Sequence, residues 1–80
     1  MITVQAKLFA TLRQHRPGLK LGEAVPVRLP DGATLGQLIQ ELGLPEKEVK
    51  VIFVNGIAHD QAHPLADGDE VALFPPVGGG

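Results

Sequence analysis

One stretch of this chain repeats its apolar residues at the helical period. Leu35, Leu38, Ile39 and Leu42 fall at i, i+3, i+4 and i+7, which sets a single apolar stripe along a helix from Thr34 to about Leu42. Thr34 and Gln37 have the spacing of a capping box, Gly43 stands where a left-handed C-terminal residue is wanted, and Leu44-Pro45 closes the element. A helix with one apolar stripe must lay it against another element. The chain has 80 residues, and a chain of that size buries only about 60–65% of its unfolded surface. Few residues can be spared for an internal active site, and the helix's partner must be a sheet.

The flanking segments supply that sheet. Ile2, Val4, Ala6 and Leu8 alternate with Thr3, Gln5, Lys7 and Phe9, a strand with one buried face. Ala10 to His15 reads as a short helix stopped by Pro17-Gly18, and Leu19 to Glu23 as loop. Val25, Val27 and Leu29 alternate again before the turn Pro30-Asp31-Gly32. Val49 to Val54 is apolar at nearly every position, the pattern of an interior strand covered on both faces. Asn55-Gly56 is a tight-turn dipeptide, Ile57-Ala58 a brief strand, Leu65 to Asp69 a turn, and Glu70 to Phe74 the last strand. Pro75-Pro76 then forbids further ladder bonding within an interior strand. The order implies an α+β chain with a mixed sheet packed on one principal helix, the β-grasp arrangement typified by ubiquitin. Residues 1–77 form the domain and 78–80 a glycine tail.

Composition excludes several classes. The formal charge is −2 and the basic residues are scattered, which argues against nucleic acid; Arg13 and Arg16, the closest pair, read as a solvated face. No apolar run approaches a membrane span of about 18 residues and no basic-then-apolar leader opens the chain, so a cytoplasmic protein is expected. Cysteine and serine are absent, which removes the ordinary acyl-transfer nucleophiles, disulfides and thiolate metal sites. His59 and His63 lie four apart beside Asp60, but in a segment that reads as a turn, so no metal site is expected. Asp67, Asp69 and Glu70 read as turn-making residues rather than a Ca²⁺ site. No catalytic constellation remains.

What remains is the end of the chain. Phe74-Pro75-Pro76-Val77 leads into Gly78-Gly79-Gly80. Two prolines project a chain outward at low entropic cost, and six residues from Pro75 extend roughly 18–20 Å. Glycine adds no side chain, so a channel only as wide as a backbone admits it. Such a stalk suits a carboxylate delivered into a partner's active site.

Val54-Asn55-Gly56, the run from Leu65-Ala66-Asp67-Gly68-Asp69-Glu70 through Phe74-Pro75-Pro76-Val77, and the glycine end resemble the MoaD/ThiS ubiquitin-like sulfur carriers. The opening Val4 to Arg13 resembles the MoaD branch, the small subunit of molybdopterin synthase; three terminal glycines also occur among ThiS proteins. The resemblance implies that an E1-like adenylyltransferase spends ATP to adenylate the Gly80 carboxylate. A persulfide donor then converts it to a thiocarboxylate, and the large subunit of molybdopterin synthase receives the tail. Gly79 and Gly80 match the family's terminal pair, with Gly80 the activated residue. Gly78, Gly79, Pro75, Pro76 and Phe74 then form the partner-binding stalk. No cofactor or metal is held permanently. A ThiS-like carrier for thiazole synthesis, a ubiquitin-like modifier joined through Gly80 and a non-catalytic adaptor stay open as alternatives. Because one helix covers one sheet face, some of Phe9, Ile52, Val54 and Phe74 are expected to stay partly exposed as a docking patch.

Overall fold

The computed structural model describes residues 1–76. Five strands form one mixed sheet in the order β2-β1-β5-β3-β4: β1 Ile2–Leu8, β2 Ala24–Leu29, β3 Val51–Val54, β4 Ile57–Ala58 and β5 Glu70–Phe74. β1 runs parallel to β5 at the centre, and the other three pairings are antiparallel. This is the expected β-grasp arrangement. Helix α1, Leu35–Glu41, lies on one face. Ala10–His15 is helical as expected but wound as a 3-10 helix, and a second 3-10 turn, Glu46–Glu48, precedes β3.

Strand parity assigns the faces. Val4, Ala6 and Leu8 of β1, Val27 and Leu29 of β2, Ile52 and Val54 of β3, and Val71 and Leu73 of β5 are buried with Leu35, Leu38, Ile39 and Leu42 of α1. Among the described residues no charged or polar residue is buried and no aromatic joins this core. β3 departs from the sequence reading. Val51 is 37% exposed and Phe53 only half-buried, so the helix covers one face and the other stays open.

Both ends of α1 are capped. The Gln37 N–H donates to Thr34 Oγ1 (3.4 Å) and Gln37 Oε1 accepts from the Thr34 N–H (2.8 Å), the expected capping box. The remaining free N–H groups of the first turn donate to a distant loop, Leu35 to His63 O and Gly36 to Gln61 O, each at 3.0 Å. At the other end Gly43 has φ +73, and the N–H of Leu44 returns to Ile39 O while that of Gly43 returns to Gln40 O. Arg16 Nη2 donates to Leu42 O (3.3 Å) and Arg13 Nη2 to Leu19 O (3.1 Å). The two arginines therefore tie loops down from half-buried positions instead of forming a solvated face.

The β2 edge is blunted. Gln5 N–H turns toward β5, donating to Asp69 O, so Pro26 opposite it stands with its missing N–H on the free side of β2. A proline there blocks strand addition. The turn feeding β5 is knotted by side chains: Asn55 Nδ2 donates to Asp69 Oδ1 (2.9 Å), Asn55 Oδ1 accepts from Glu70 N–H (3.0 Å), and Asp69 Oδ2 accepts from Ala66 N–H (2.8 Å). Asp67 Oδ1 accepts from Thr3 N–H (2.8 Å). The acidic cluster thus builds the turn, as its spacing indicated. Asn55 and Gly56 have φ +51 and +85, the tight turn the dipeptide predicts.

Candidate functional site

The chain has three phenylalanines and no other aromatic apart from histidine, and all three lie on the sheet face that α1 leaves open. Phe9 follows β1, Phe53 belongs to β3 and Phe74 ends β5, the strand between them. The Phe9 and Phe74 rings stack nearly parallel, centroids 4.6 Å apart and planes 7° from each other. Phe53 meets Phe74 edge to face at 5.7 Å and 88°. Each contact of this kind contributes about 0.5–1.5 kcal/mol beyond area burial. All three rings are half-buried.

Phe74 opens onto Pro75, half-buried, and Pro76, exposed. The end of β5 is pinned from both flanks: Phe9 N–H donates to Leu73 O (3.1 Å) and Lys50 N–H to Phe74 O (2.8 Å). Beside this exit a shallow apolar groove runs between Ala10 and Thr11 on one side and Val51 and Phe53 on the other, reaching Pro75 and Pro76. A second depression on the same face carries the polar groups, with Lys7, Asn55 and Glu70 around Ala72. The face is therefore apolar where the chain leaves the sheet and polar at the far end of β5.

Phe74, Pro75 and Pro76 of the expected stalk stand together at one end of the open face. Gly78, Gly79 and Gly80, with Val77 and the boundary drawn at 77/78, lie outside the described residues. The expected docking patch needs one correction. Ile52 and Val54, each 4% exposed, belong to the core, while Phe9 and Phe74 do stay partly exposed. Phe53, which the sequence reading passed over, is the third member. The signal was parity: within β3, Val51 and Phe53 share the face opposite to Ile52 and Val54.

Other candidate residues have structural roles. The His59 and His63 rings stack on each other (3.6 Å between centroids, 18° between planes) in the loop whose carbonyls cap α1. Among the described residues no group of three or more histidine or acidic side chains is placed to hold a metal ion. No described helix is long and apolar enough to cross a membrane. His15 Nε2 lies 3.2 Å from Glu48 Oε1, joining the two 3-10 segments.

Comparison with known proteins places this geometry. The model of the ThiS family matches residues 6–80. No curated protein gives a significant match. Among solved structures, a Pyrococcus furiosus protein provisionally described as molybdopterin converting factor, subunit 1, is 32% identical with TM-score 0.75, over 96% of this chain and 100% of that one. The small archaeal modifier protein 1 of Haloferax volcanii is 28% identical with TM-score 0.75, again over 96% and 100%. A Helicobacter pylori complex of subunits 1 and 2 of molybdopterin-converting factor matches at 25% identity and TM-score 0.62, over 99% and 100%. With a family match across nearly its whole length and an open aromatic face ending in a diproline exit, the chain belongs to the ThiS family, the ThiS/MoaD type of ubiquitin-like sulfur carrier.

Proposed function

We propose that the chain is a sulfur carrier of molybdopterin synthesis, acting as the small subunit of molybdopterin synthase through the C-terminal carboxylate of Gly80. The observation that carries this reading is the placement of Phe74-Pro75-Pro76. The central strand β5 ends on the open aromatic face, pinned on both sides, with six residues from there to Gly80. A partner that grips this face holds the carboxylate within the roughly 18–20 Å that the six residues from Pro75 can span.

The family's chemistry suits a chain without cysteine, because there the sulfur rides on the terminal carbonyl carbon and no side-chain thiol is needed. A free carboxylate is a poor electrophile. In an E1-like adenylyltransferase a carboxylate oxygen attacks the α-phosphorus of ATP and pyrophosphate leaves, giving an acyl-adenylate with AMP as a good leaving group. The terminal sulfur of a persulfide donor then attacks the carbonyl carbon and AMP departs. Thiol reduction of the acyl disulfide frees the thiocarboxylate, which donates sulfur inside the large subunit. This chain contributes recognition and delivery, and its partners supply acids, bases and ATP. The relative solved as a complex of subunits 1 and 2 supports a large-subunit partner.

The likeness to a small archaeal modifier protein supports a second reading, in which activated Gly80 is captured by a lysine amine. A ThiS-type role in thiazole synthesis shares the activation steps and differs in the acceptor. One experiment separates these. The chain is incubated with ATP, an E1-like enzyme and a persulfide donor, and its intact mass is followed. Oxygen-to-sulfur exchange localised to Gly80, followed by transfer to a pterin precursor in the presence of the large subunit, is the expected result. Exchange without pterin transfer points to the thiazole branch, and an isopeptide adduct to the modifier. An unchanged mass with every activating enzyme of the host would refute the carrier reading.

A further inference from the structure

Stability alone does not explain where the phenylalanines sit. Enclosing a large apolar side chain is among the strongest stabilising moves open to an 80-residue chain. Yet the core is built of Leu, Ile, Val and Ala, and the three largest apolar side chains are left half out. Partner contact alone does not explain it either, because leucine or methionine would supply apolar docking area equally well. What aromatic rings add is orientation. Phe74 is held flat by Phe9 on one side and by the edge contact with Phe53 on the other, and Val51 stands opposite it in the ladder. Its carbonyl is fixed by Lys50 N–H and that of Leu73 by Phe9 N–H. The residue before the prolines is therefore clamped in both side chain and backbone.

Ala10 points the same way. It has φ +53, a left-handed conformation that alanine adopts only at a cost, immediately after Phe9. The turn ends β1 there and swings the following 3-10 helix aside. The Phe9 ring stays over Phe74, and the lane beside Pro75 and Pro76 is bordered on the β1 side by small side chains, Ala10 and Thr11.

We infer that Phe9 and Phe53 are positioning residues for the stalk: they hold Phe74 so that Pro75-Pro76 leaves the sheet along one fixed line toward the partner's active site. The inference rests on the carrier reading for its purpose but not for its geometry. A swing of about 20° at the root moves the far end of the diproline, roughly 6 Å out, by about 2 Å. A misplacement of about 1 Å can cost a reaction up to about 10²-fold. Pre-setting the line of exit removes most of that search before docking.

The test uses the absence of cysteine, which makes paired spin labels unique. Labels are placed at Gln40→Cys, exposed on α1, and at Val77→Cys, the first residue after the prolines, and the distance distribution is read by pulsed electron resonance. Phe9→Leu and Phe53→Leu keep apolar area but lose the ring contacts, and each is expected to widen the distribution at least about twofold, with Phe9→Tyr restoring it. Equal widths in all four proteins, each checked to be folded by circular dichroism, overturn the inference. Kinetics gives a second readout, as pyrophosphate release from an E1-like enzyme that accepts the wild-type chain. Phe9→Leu should lower kcat about tenfold with KM moved less than about threefold. A raised KM with unchanged kcat would make Phe9 a docking contact only and sink the positioning role. If the wild-type chain is never activated, the carrier reading fails while the label widths still decide the posture.

Discussion

Asn55 lies at the far end of β5 from the stalk, and its replacement tests the most specific local claim of the structure. Three of its groups are engaged: Nδ2 with Asp69 (2.9 Å), Oδ1 with Glu70 N–H (3.0 Å) and its own N–H with Glu70 O (2.8 Å). Its φ of +51 lies in the left-handed region, where asparagine is tolerated and alanine stands only at a cost, as Ala10 does at φ +53. Asn55→Ala removes two exposed side-chain hydrogen bonds, about 0.5–1 kcal/mol each. Left-handed strain on alanine adds about 1 kcal/mol. The sum is about 2–3 kcal/mol, against a total of about 4–12 kcal/mol for a domain of this length. With about 4–8 °C of Tm per kcal/mol at this size, the fall should be about 8–24 °C. Asn55→Gly loses the same bonds without the strain and should retain about 1 kcal/mol of the difference. With neither Trp nor Tyr in the chain, far-ultraviolet circular dichroism in urea is the assay. A loss below about 0.5 kcal/mol for the alanine variant, or a glycine variant less stable than the alanine one, would refute the reasoning.

Deleting Gly80 should abolish oxygen-to-sulfur exchange by intact mass while Tm stays nearly unchanged; a large fall in Tm would make the tail structural. Leu38→Ala, at a fully buried position of α1, should cost about 2–5 kcal/mol in urea unfolding through the lost transfer energy and the cavity. Ala10→Gly relieves the left-handed φ and should change stability by no more than about 0.5 kcal/mol, whereas Ala10→Val should cost at least about 1 kcal/mol. A glycine variant that lost as much as the valine one would show that the Ala10 methyl, not its backbone, matters.

Features written within a few residues were legible in the sequence. The α1 stripe, its capping box, Gly43, the Asn55-Gly56 turn and the alternation of β1 each depend on neighbours in the chain, and each stands where its pattern placed it. Features that depend on distant pairing were not. Val49 to Val54 reads as doubly buried because composition does not distinguish a face covered by the core from one left open; only the register of β3 on β5 puts Val51 and Phe53 outside. The loop from His59 to Pro64 reads as a bare turn, because it caps α1 with backbone carbonyls, which leave no residue signature. Arg13 and Arg16 read as solvated since nothing local reveals the carbonyls of Leu19 and Leu42 as their acceptors. Of the candidate site, Phe74-Pro75-Pro76 was visible as a motif and Phe9 as an expected member of the open face, while the place of Phe53 beside them came from the sheet order.

The turn at Asn55 and the exit at Phe74 are coupled through register. β5 is five residues long, and its face assignment has a period of two, so a slip of one residue would turn Phe74 into the core and Leu73 out to the open face. Hydrophobic pattern opposes such a slip weakly here, because Val71, Ala72, Leu73 and Phe74 are all apolar. What sets the register is the polar end: Asp69 O accepts from Gln5 N–H, Glu70 N–H is held by Asn55, and Gly68 N–H donates to Thr3 O, fixing β5 against both neighbours before its apolar run begins. The polar turn therefore sets the posture of Phe74 although it lies at the opposite end of the strand. On the carrier reading it decides which side chain is turned to the partner, and the proposed clamp of Phe9 and Phe53 acts on a strand whose register is already set.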